Sequence, residues 1–144
     1  MTEKVKIRFT ADRDFISWII RVFTWSKFSH VDYVTSDGTL IGCWPKGGVY
    51  RHSRQASEIV YAEFEVQSKE QFEKFILDQL GKPYDWGAIF GLVFRMGDLH
   101  STNKWFCSEL IAEAAAATGT KLIRKEAARI TPQDLWESAL VTPL

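Results

Sequence analysis

The chain predicts an α+β domain, an antiparallel sheet with helices packed on it, from two observations. Short stretches with period-two alternation, separated by turn residues, dominate its first half, and from Ser68 onward apolar residues recur with period 3.6. Strands that come mostly first and helices that come mostly later favour an antiparallel sheet over a parallel one. With 144 residues, 46% of them hydrophobic, one core suffices, so residues 1–144 are expected to form a single domain.

Val5-Lys6-Ile7-Arg8-Phe9-Thr10 alternates and reads as the first strand. Phe15, Trp18, Ile19, Val22 and Phe23 then fall at helical spacing over 14–25. Strands are expected over 29–35, over 39–44 after the Asp37-Gly38 turn, over 49–53 after Gly47-Gly48, and over 58–66. The next helix places Phe72, Phe75, Ile76 and Leu80 on one face and stops at Gly81, ahead of Lys82-Pro83. A helix over 84–94, a loop over 97–104 and a helix over 106–118 follow, the last ended by Gly119 and slimmed by Ala112 and Ala114 to Ala117. Thr131-Pro132-Gln133-Asp134 has the form of a helix start, with Leu135, Trp136 and Leu140 on the short helix it opens.

Composition removes several function classes. The formal net charge is zero, which gives no footprint for nucleic acid or for an anionic lipid surface. The opening Met1-Thr2-Glu3-Lys4-Val5-Lys6 lacks the apolar core of a secretory signal, and no apolar run nears the roughly 20 residues of a membrane span. A cytoplasmic protein without an integral membrane segment is therefore expected. Two cysteines make no disulfide framework, and without a CxxC pair or a spaced His/Cys cluster neither a metal site nor an organic cofactor is expected.

The chemistry concentrates at two places. Trp105-Phe106-Cys107-Ser108-Glu109-Leu110 puts Cys107 in the first turn of a helix, where unpaired N–H groups and the helix dipole favour a thiolate. The competing reading of Cys107 is a small buried hydrophobe. Upstream, Phe28-Ser29-His30-Val31 opens a strand whose alternation sets His30, Asp32 and Val34 on one face. Asp32 is thus a same-face neighbour able to hold the His30 ring, although a strand histidine is also a common structural residue. Gly81-Lys82-Pro83-Tyr84-Asp85-Trp86 turns into a helix, and Tyr84 either directs its hydroxyl at a site before Cys107 or packs as an aromatic. His100 lies on a loop, a poor support for a base, and Cys43 reads as a strand core residue.

In their order, Ser29-His30-Val31, Gly81-Lys82-Pro83-Tyr84-Asp85-Trp86 and Phe106-Cys107-Ser108-Glu109-Leu110 resemble the circularly permuted branch of the NlpC-type papain-like cysteine hydrolases. Within that branch the likeness is to the YiiX-like group, related to lecithin retinol acyltransferase, and the Thr131-Pro132 start is also similar; the match runs from Phe28 to Leu135. The resemblance implies a permuted papain-like fold with a catalytic cysteine at a helix N-terminus. It implies Cys107 as nucleophile, His30 as its base, and Tyr84 beside the Cys107 N–H in the oxyanion hole. The family places a polar residue on the strand after the histidine strand to orient the imidazole, and here that stretch reads Leu40-Ile41-Gly42-Cys43-Trp44. Asp32, His52, a backbone carbonyl or a water are the substitutes.

The resulting expectation is a cysteine hydrolase that cleaves an amide, such as a peptide derived from peptidoglycan, or an ester through a Cys107 acyl-enzyme. Its partner would be a small peptide, amide or acyl substrate. The alternatives are a lipid acyltransferase, with Trp44, Phe90, Val93 and Phe94 as groove residues, and a ligand-binding module that kept the fold and lost the chemistry.

Overall fold

A computed structural model describes residues 1–14, 26–44, 46–84, 107–124 and 130–144. The helices expected over 14–25 and 84–94, and the loop carrying His100, fall almost wholly outside these residues. The described elements are β1 (Glu3–Ala11), β2 (His30–Val34), β3 (Leu40–Trp44), β4 (Gly48–His52), β5 (Glu58–Val66), α1 (Lys69–Asp78), α2 (Cys107–Ala117), α3 (Pro132–Glu137) and β6 (Thr142–Pro143). The strands form one sheet in the order β4-β3-β2-β1-β5-β6, every pair antiparallel. The α+β expectation therefore holds for the described residues.

The alternation read in β1 divides the sheet's two faces. Val5, Ile7 and Phe9 are fully buried, as are Val31 and Tyr33, which pair with Phe9 and Ile7 across β1 and β2. Phe72 of α1 packs edge-on against Tyr33 and Phe64, and Trp136 of α3 against Phe9 and Phe28. These aromatic contacts bury large apolar areas and anchor both helices to that face. Helix α2 lies against β2, β3 and α1, and its alanines keep it slim at those contacts.

Local chemistry sets the helix ends. Ser68 caps α1 by accepting from the Gln71 N–H, and Thr131 with Asp134 makes a reciprocal capping box on α3. Two apolar residues expected inside helices lie outside them. Helix α1 stops at Asp78, where the Gln79 N–H turns back to Ile76 and Leu77; Leu80 then follows in the turn and is 38% exposed. Likewise α3 stops at Glu137 because Ser138 is extended, leaving Leu140 exposed.

Beyond the expected strands, β6 pairs with the middle of β5. Gly81 does end the turn after α1, at φ +88°, and its N–H donates to the Val49 carbonyl while the Val49 N–H donates to Lys82. This ties the approach to Tyr84 onto β4. Gly48 is needed there, since a Cβ would come within 2.1 Å of the Lys82 carbonyl oxygen.

Candidate functional site

The face of β2 opposite Val31 and Tyr33 carries His30 and Asp32, as period-two geometry requires. Register does the rest. Arg8 stands across from Asp32 on β1, and pairing of Leu40 with His52 brings β4's last residue to the same place.

The Asp32 carboxylate is the centre of the cluster and is fully buried. Its Oδ2 accepts from Arg8 Nη2 at 3.0 Å, and its Oδ1 lies 2.6 Å from His30 Nε2 and 3.0 Å from His52 Nε2. Arg8 is itself fixed by donating through Nη1 to the Arg54 carbonyl at 2.7 Å. At His52, Nδ1 accepts from the Arg54 N–H at 3.2 Å, while Nε2 faces Asp32. Trp44 stacks on the His30 ring, with centroids 3.8 Å apart, and its Nε1–H donates to His52 Nε2 at 2.9 Å.

Of the alternatives for holding His30, the structure puts Asp32 against its Nε2 and places His52 behind Asp32. Gly42 stands where the sequence lacked a polar residue, and its bareness has a use. A Cβ there would fall 1.8 Å from Asp32 Oδ1 and 3.0 Å from His30 Nε2. The carboxylate from β2 thus fills the space that a side chain from β3 would take.

Cys107 is the first described residue of helix α2, and its side chain is close enough to the His30 ring to affect its charge. Burial alone would lower the His30 pKa, but the Asp32 carboxylate and then Cys107 outweigh it and raise it to about 9. Burial would raise the Asp32 pKa; His30, and then His52, hold it well below the usual carboxylate range. The pair is enclosed, Cys107 being 1% and His30 5% exposed. Such an arrangement can keep a charged imidazole beside a sulfur and return it to one orientation after each proton transfer.

Tyr84 is buried in the same core cluster as Cys107. Cys43 is buried in the strand core, and Trp44 packs on His30. Sequence reasoning missed Arg8, although a signal was present: a charge one strand step from Thr10, beyond the exposed Lys4 and Lys6 of the same face.

Among the described residues His30, Asp32 and His52 also form a group of possible metal ligands, with donor atoms within 4.8 Å of one another. Two imidazoles and one carboxylate suit a zinc-class ion, so the donor chemistry fits. No CxxC-like spacing announces such a set, because two strands supply it through their register.

No family model matches this chain, and no curated protein matches it. Among solved structures it is similar to the crystal structure of the metalloprotein YiiX from Escherichia coli O157:H7, with a TM-score of 0.65 and 16% identity. The likeness covers 99% of this chain and 96% of that one, so the chain has a YiiX-like fold.

Proposed function

We propose that this YiiX-like domain is a cysteine hydrolase that works by acyl transfer, on a permuted papain-like plan. The observation that carries the reading is a buried His30 ring that has Cys107 close enough to raise its pKa and a buried carboxylate holding its Nε2 at 2.6 Å. His30 takes the Cys107 proton, the sulfur attacks a carbonyl carbon, and the leaving group departs with a proton from His30. Water then releases the acyl group by the same proton path in reverse. Asp32 keeps the ring in place and stabilises its charged form, the role of the third member of a triad. The Cys107 N–H at the start of α2, with Tyr84, serves the oxyanion. An amide, such as a peptidoglycan-derived peptide, is the preferred substrate class and an ester or lipid acyl group the next.

Incubation with p-nitrophenyl acetate followed by mass spectrometry tests this. Acetylation of Cys107 is expected in the native chain and at least about 100-fold slower in His30→Ala. Acetylation elsewhere, or at equal rates in both chains, would refute it.

The burial of Cys107 together with the three clustered donors favours a second reading. In it the domain binds a cation or other ligand and does not turn over substrate. A divalent ion held by His30, Asp32 and His52 would supply positive charge or Lewis acidity there, and the YiiX structure is that of a metalloprotein.

A further inference from the structure

We infer that the His30, Asp32 and His52 cluster is an inhibitory site for a zinc-class divalent ion, which excludes His30 from acid–base work while bound. The inhibition rests on the hydrolase reading; the binding does not. Three features of the geometry carry it. Both histidine Nε2 atoms converge on one oxygen, Asp32 Oδ1, at 2.6 and 3.0 Å. The side chains stand on β2 and β4, both paired with β3, and are at most 6% exposed, so little ordering remains to be done on binding. Arg8 on Oδ2 fixes the carboxylate from its other side, as outer-shell partners of metal ligands do.

Proton accounting gives the exclusion. Asp32 is an acceptor, so the hydrogen bond at His30 Nε2 uses a ring proton, and that nitrogen cannot hold an ion and the proton together. An ion on Nε2 takes that proton's place, and the neutral ring then carries its one proton on Nδ1. The ring then has no site to accept a proton from Cys107, and giving up its last one would leave an imidazolate. At His52 the ion takes the place of the Trp44 Nε1–H, which donates to Nε2 at 2.9 Å in its absence.

The test adds Zn2+ alone to metal-stripped, tag-free full chain. Calorimetry on Cys107→Ser, which removes the competing thiol, is expected to show one equivalent bound, with Nε2 resonances of both histidines shifted in 15N spectra. His52→Gln keeps a donor for Asp32 but is a poor ligand, and should weaken binding by about tenfold or more. No uptake, or equal uptake in His52→Gln, would overturn the site. In the native chain, Zn2+ should suppress p-nitrophenyl acetate turnover, a chelator should restore it, and His52→Gln should require correspondingly more Zn2+. Turnover by the zinc-loaded chain at the metal-free rate would overturn the exclusion. Loss of Cys107-dependent turnover from the metal-free chain would instead refute the hydrolase reading, with the calorimetry still deciding the ion site.

Discussion

Replacing Gly42 by alanine should be among the most damaging single-methyl changes in the sheet. A strand glycine ordinarily gains about 0.5–1 kcal/mol on becoming alanine, because the unfolded chain loses freedom. Here the new Cβ would sit 1.8 Å from Asp32 Oδ1, against about 3.3 Å for a nonbonded carbon and oxygen. The carboxylate must retreat by roughly 1.5 Å, which breaks bonds of 2.6 and 3.0 Å to the two histidines. Charge-assisted hydrogen bonds contribute about 1.5–3 kcal/mol each, and disrupting a buried ion pair costs about 3–5 kcal/mol. A net loss of about 4 kcal/mol follows, or a Tm about 12 °C lower for a domain of this size. The assay is thermal and urea unfolding followed by circular dichroism. A second background, Arg8→Met with Asp32→Ala, removes the ion pair and substitutes apolar groups. Adding Gly42→Ala there should cost no more than about 1 kcal/mol, since the remaining close contact is with His30 Nε2 at 3.0 Å. Equal costs in the two backgrounds, or a native-background cost below about 1 kcal/mol, would refute the claim that Asp32 fills the space over Gly42.

Arg8→Met alone leaves Asp32 without its fixed cation and should destabilise by about 3–5 kcal/mol in urea unfolding, more than the Arg8→Met, Asp32→Ala pair. Thr131→Ala removes the capping box of α3 and should cost about 1 kcal/mol by the same assay. Asp37 accepts from the Thr35 hydroxyl and from the Thr39 N–H and hydroxyl, which hold its carboxyl well below the usual range. A depressed folded pKa means that the turn's contribution is complete above about pH 4 and is lost as pH falls further. In Asp37→Asn this part of the acid sensitivity should disappear, read from the pH dependence of unfolding.

Much of this site was legible because it obeys local periodicity. Alternation alone put His30 and Asp32 on one face, and they meet there at 2.6 Å. The helix that carries Cys107 was likewise readable, and Cys107 lies in α2. What escaped were relations set by register between strands. Nothing near Arg8 in the chain says that it faces Asp32, and nothing near His52 says that pairing with Leu40 carries it to the same carboxylate. Gly42 looked like a missing polar group, because a sequence shows which side chain is absent and not which neighbour needs the room. Leu80 and Leu140 were misplaced for a simpler reason: apolar periodicity ran past the points where backbone hydrogen bonds close the helices.

The most direct test of the central claim is the pH profile of Cys107 alkylation by iodoacetamide, in a Cys43→Ala background with and without His30→Ala. An ordinary thiol, with pKa about 8.5, is almost unreactive at pH 6. Rapid alkylation of Cys107 at pH 6 that disappears in His30→Ala is the predicted result. A thiol that reacts only above pH 8, or a profile indifferent to His30, would contradict the account.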